Sequence, residues 1–145
     1  TVDARKLRGN DKQVVSPPFP MCFGPQFPQV VFKMMIYPKA SNSARGGAAF
    51  KKSNGRGYIQ LKCEGDISES IAHATFWLSI GSGEEEQPRR GPVSHNFAKG
   101  AVCGLPRSNE DWDFNCVVNH DSMTFDISLQ MQPQCSPLAL TQGGA

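Results

Sequence analysis

From Met123 to Met131 apolar and polar side chains alternate without a break. Met123, Phe125, Ile127, Leu129 and Met131 take one side; Thr124, Asp126, Ser128 and Gln130 take the other. A period of two belongs to an extended strand with one dry face and one wet face. The same period recurs over residues 71–80, where Ala72, Ala74, Phe76, Leu78 and Ile80 share a face opposite His73, Thr75, Trp77 and Ser79. It recurs again over residues 58–63, with Ile59, Leu61 and Cys63 opposite Tyr58, Gln60 and Lys62. Residues 30–37 are apolar on both faces, which suits a central strand, and Pro38 ends it by removing a ladder donor. Weaker strand signals lie at Val14-Val15, residues 93–97 and residues 114–118. No long stretch carries the helical period of 3.6, and 14 Gly and 11 Pro punctuate the chain. The expected fold class is therefore all-β, an antiparallel sandwich or barrel.

Charge runs fall between these strands. Residues 3–13, 40–56 and 84–91 read as solvated polar loops, and Asn119-His120-Asp121 reads as a turn. From Gln132 onward Pro, Ser, Gln and Gly dominate, so residues 1–131 are expected to fold and residues 132–145 to form a linker or tail. The opening residue is Thr1 rather than Met, which leads us to expect a piece of a longer chain.

Composition excludes several classes of function. The net charge of +2 is too small, and the aromatics too little interleaved with basic residues, to argue for nucleic acid. No apolar run approaches the ~20 residues needed to span a bilayer as a helix, so no membrane role is expected. Five cysteines, Cys22, Cys63, Cys103, Cys116 and Cys135, are too widely and irregularly spaced for a zinc site. Their odd number favours free thiols in the cytosol or nucleus over a secreted disulfide framework. No cofactor and no metal are expected. Catalysis finds little support: His95 and Cys103 are close enough in sequence to approach, but Gly100-Ala101-Val102-Cys103-Gly104 is no nucleophile motif. Glu84-Glu85-Glu86 lacks a paired partner, and Gly55-Arg56-Gly57 lacks the preceding strand of a phosphate loop. Binding an extended peptide at a sheet edge asks for fewer special residues.

Five stretches, taken in order, resemble the MATH (meprin and TRAF homology, TRAF-like) family. Val14-Val15-Ser16-Pro17-Pro18-Phe19 resembles its hydrophobic-x-S-x-x-F strand. Phe32-Lys33-Met34-Met35-Ile36-Tyr37-Pro38-Lys39 is similar to its W-x-L-x-x-x-P-x-G strand. Ala74-Thr75-Phe76-Trp77-Leu78-Ser79-Ile80 looks like its A-x-F-x-F-x-I/L strand. His95-Asn96-Phe97, Gly100 and Cys103-Gly104-Leu105 keep the Phe and Gly spacing of its x-x-F-x-x-G-x-x-W-G-F segment. The strand from Asp121 to Met131 fits its closing D-x-L-T-L-x-C-x-V.

The resemblance implies a sandwich of about eight strands. It also implies a substrate-recognition domain of the MATH–BTB type, serving a cullin-RING ubiquitin ligase through a BTB domain after residue 145. The implied partners are short linear segments of substrate proteins, a katanin-type microtubule-severing subunit among them. Carried over by position, the peptide-binding residues are Tyr58, Phe76, His95, Ala101, Val102, Cys103, Gly104 and Leu105. Phe76 reads equally as groove or core, His95 equally as surface polar residue or contact, and Gly104 also as a purely backbone requirement. Cys103 stands where the family has Trp, Leu105 where it has Phe and His95 where it has Tyr. Ala101-Val102 replaces a Lys-Asp pair. A smaller, more aliphatic groove is expected. Two other family roles stay open: a TRAF-type scaffold binding receptor tails, and the recruitment domain of a deubiquitinase.

Overall fold

The computed structural model describes residues 1–40 and 49–134. Cys135, the centre of the expected 40–56 loop and nearly all of the expected tail lie outside the described residues.

Among the described residues eleven strand segments form antiparallel sheets in two layers. The larger layer is built on β4 (Val30–Pro38) and β5 (Arg56–Cys63), paired from Phe32↔Cys63 to Pro38↔Gly57. Along the free side of β4 lie β2 (Val14–Val15) and β3 (Phe19–Met21). Along the free side of β5 lie β8 (Val102–Gly104) and β9 (Trp112–Asp113). The smaller layer runs β11 (Ile127–Pro133), β6 (His73–Ile80), β7 (Arg90–Asn96). β1 (Val2–Asp3) pairs β10 (Thr124–Phe125), which only Asp126 separates from β11. Three pairs of segments, β2 with β3, β8 with β9 and β10 with β11, each share one lane, which leaves eight lanes. The all-β antiparallel sandwich expected from alternation is the fold observed.

Alternation places the core where the pattern puts it. Ala74, Phe76, Leu78 and Ile80 from β6 are fully buried and face Phe32, Ile36, Ile59 and Leu61 from the larger layer. Phe32 is held between Phe23, stacked at 5.7 Å, and Phe97, edge-on at 5.1 Å. Arg90 ties the layers together at one side. Its guanidinium lies 3.5 Å from the centroid of the Trp112 ring and donates to the Asp111 and Asn109 carbonyls.

Several sequence expectations need correction. Residues 114–118 do not form a strand: Phe114–Val117 is a 3-10 turn whose N-cap, Asp113, accepts from the Asn115 amide. Buried Phe114 and Val117 sit three apart, a spacing that a tight helix also puts on one face. The polar segment 3–13 contains a 3-10 helix, Ala4–Arg8, that buries Ala4 and Leu7. Phe50, inside the expected 40–56 loop, is fully buried. The closing strand runs two residues past Met131, to Pro133.

Candidate functional site

Residues paired directly across an antiparallel ladder share a face. Tyr37 faces Tyr58, Met35 faces Gln60 and Lys33 faces Lys62; on the far side Gln60 faces Gly104 and Lys62 faces Val102. Val15 faces Met35 from β2. These residues, with Val31 two before Lys33, cover the outward side of the larger layer. Val15, Val31 and Val102 are 46%, 38% and 41% exposed, the large hydrophobic side chains most open to water among the described residues. All three lie on this one face. The Tyr37 and Tyr58 rings stack there at 5.3 Å, and the Tyr37 hydroxyl accepts from Gln13 Nε2. Burial, then the Glu110 charge and Tyr37, push the Tyr58 phenol pKa up. Lys33 is ion-paired with Glu64 at 3.5 Å. β8 ends the ladder, so its outer edge has no strand partner among the described residues.

The eight residues singled out from the sequence divide between this face and the interior. Tyr58, Val102 and Gly104 belong to the face, and Ala101 is exposed just before β8, its carbonyl accepting from the Cys63 amide. Cys103 faces inward opposite Leu61, and burial raises its thiol pKa. Leu105 is 6% exposed and packs in the core. Phe76 is fully buried in the smaller layer, so of its two readings the core one holds. His95 sits opposite Ala74 on β7, half-buried; its ring meets Phe97 edge-on at 4.7 Å and its Nε2 bonds the Gly100 carbonyl at 2.7 Å. Gly104 serves the backbone: a Cβ there would stand 2.7 Å from the Ile59 carbonyl oxygen. The close approach is thus to β5.

Val15, Val31 and Tyr37 escaped the sequence reading of the site. The signal for Val31 and Tyr37 was present in β4, whose second apolar face has no second layer to cover it.

Nothing in this arrangement assembles a nucleophile with a base. The His95 ring is engaged with Gly100, and the Cys103 thiol donates to the Gly104 carbonyl. Cys116 is exposed, but its thiol donates to Asp113 Oδ2 at 3.1 Å, and that bond raises its pKa. Cys22, Cys63, Cys103 and Cys116 are all free thiols. Among the described residues no three His, Cys, Asp or Glu side chains converge as metal ligands, and no helix is long and apolar enough to cross a membrane.

Fold and site together define an antiparallel β-sandwich whose β8 edge, one of the sheet edges without a strand partner among the described residues, lies beside a face of exposed valines, stacked tyrosines and lysines. The chain matches no family model, and no curated protein or solved structure shows significant similarity to it.

Proposed function

We propose that this chain recognises short extended segments of other proteins by adding them as a strand to the outer edge of β8. The observation that carries the reading is the exposure of Val15, Val31 and Val102 on one sheet face, with the Tyr37–Tyr58 stack on the same face one register step beyond Val15. Main-chain bonds to β8 would supply affinity, and alternate side chains of the segment would lie over Val102, Gln60 and Tyr58 and supply selectivity. The contact set is then Tyr58, Ala101, Val102 and Gly104 joined by Tyr37 and Val31, with Cys103, Leu105 and Phe76 acting from beneath. Such a site binds and does no chemistry. In the resemblance to MATH domains it takes the place of the degron site of a MATH–BTB adaptor. We extend the proposal to that role: substrate capture for a cullin-RING ubiquitin ligase in cytoplasm or nucleus, with a katanin-type subunit as one candidate substrate. Four free thiols are consistent with a reducing compartment.

The test is a titration of a tiled library of candidate-substrate peptides against wild type, Val102→Arg and Tyr58→Ala. Both positions are partly exposed, so both variants keep the core. One peptide family binding wild type at micromolar strength and losing about tenfold or more in each variant, roughly 1.4 kcal/mol, supports the face. Binding that survives both substitutions places the contact elsewhere.

A further inference from the structure

At one end of the sandwich, away from the face just described, an open cavity of about 430 Å³ is lined by Leu7, Arg8, Lys51, Asn54, Asn115 and His120. The lining has two permanent cations, an imidazole, two carboxamides and no carboxylate. All 13 Asp and Glu of the chain belong to the described residues, and none forms an ion pair with Arg8 or Lys51. Asp11 and Asp121, the acids nearest in sequence, do not line the cavity. More cations, Lys6, Lys12 and Lys52, flank the same two segments.

The cavity is held by backbone. The Lys51 amide donates to the Gly9 carbonyl at 3.0 Å and the Phe50 amide to the Asp11 carbonyl at 3.2 Å, which fastens the 49–55 turn to the segment after the first 3-10 helix. Asn115 Nδ2 donates to the Asn54 carbonyl at 2.7 Å, and the Phe114 amide to the Gly55 carbonyl at 3.1 Å. Gly55 has φ +76°, and a Cβ on it would collide with the Asn115 carboxamide. Leu7, 2% exposed, forms the floor.

From this convergence we infer that the cavity is a binding site for a phosphate group. Like charges brought together without a counter-charge repel, and a bound anion reverses the sign of that interaction. The Arg8 fork suits two phosphate oxygens at once, and Lys51 adds a point charge. The free N–H of Asn115, the Asn54 carboxamide and the His120 ring supply further donors. A phosphate carries about −1.5 to −2 charge and three strong acceptor oxygens, which meets this donor set better than a single carboxylate does. The cavity shares no residue with the β8 face, so the site stands whether or not that face binds peptides.

The experiment is an amide-resolved NMR titration of the 145-residue chain. Its three arms are inorganic phosphate, a phosphoserine peptide and inositol hexakisphosphate, each against sodium chloride of equal ionic strength. Saturable shifts at Arg8, Lys51, Asn115 and His120 are expected, with affinity at least tenfold weaker in Arg8→Glu and Lys51→Glu and unchanged in Lys99→Glu. Arg8→Gln replaces Arg8→Glu if the latter fails to keep the wild-type spectrum. The arm that binds tightest names the source of the phosphate: free ion, modified protein or soluble polyphosphate. Shifts that follow ionic strength alone, that spread over all surface cations, or that persist in both charge reversals overturn the site.

Discussion

Tyr58 illustrates how much one side chain owes to its neighbours. It stands on the wet face of β5 with Gln60 and Lys62, yet Tyr37 covers one side of its ring and Glu110 lies close enough to oppose a phenolate. Its phenol therefore holds its proton more tightly folded than unfolded, where the ordinary value is near 10. The contribution is fully present below pH ~10 and is lost as pH rises through the higher folded value, because the unfolded chain ionises first. Tyr58→Phe removes the ionisation. Urea midpoints between pH 9 and 11 should fall more steeply in wild type than in the variant; parallel curves would mean that the phenolate is not opposed. At the same scale Leu105, buried near the edge, is where motif and structure part, while Phe76, buried in the smaller layer, takes the core one of its two readings. A motif position records where a side chain sits along a strand, and the second layer decides whether it is covered.

The pairing of β5 with β8 is short, and its closeness depends on one missing atom. A methyl group at Gly104 would press on the Ile59 carbonyl, so the two strands must spread to admit it. Gly104→Ala is expected to destabilise by about 1–3 kcal/mol, in the range of overpacked sites, and to loosen the edge that carries Val102. Chemical denaturation together with hydrogen exchange at Leu61 and Cys63, the β5 amides that face β8, measures both effects. Unchanged stability with unchanged protection would show that the ladder accommodates a side chain. Strands with a clean period of two, β5, β6 and β11, were legible from the sequence with their faces assigned. The short lanes β3, β8 and β9 were not. A segment of two or three residues has no period to read, and its extended shape is imposed by the ladder it joins. For the same reason Phe114–Val117, apolar and brief, read as a strand and coils instead into a 3-10 turn.

Across the whole molecule the two layers meet through apolar side chains, with one polar strap between them. Arg90 leaves β7, crosses the face of Trp112 on β9 and donates to two carbonyls of the 109–111 segment, while burial lowers its pKa. Arg90→Ala removes a partly desolvated cation–π contact and two charge-assisted bonds, at a cost of about 2 kcal/mol. Arg90→Lys should recover less than half of that, because a single ammonium cannot both cover the ring and reach two acceptors. Thermal unfolding of the three proteins ranks them, and equal midpoints for Lys and Arg would remove the strap from this account.

What the sequence determined by itself was the class of fold, the faces of its long strands and most of the core. Those follow from a local period: every second residue of a strand turns to the same side whatever the strand pairs with. Tertiary structure alone decided which strands lie at the sheet edges, that Leu105 is covered while Val15, Val31 and Val102 are not, and that Arg8, Lys51 and His120 converge. Each of these depends on register and on contacts between segments tens of residues apart, and no local period encodes which distant strand or turn will lie alongside.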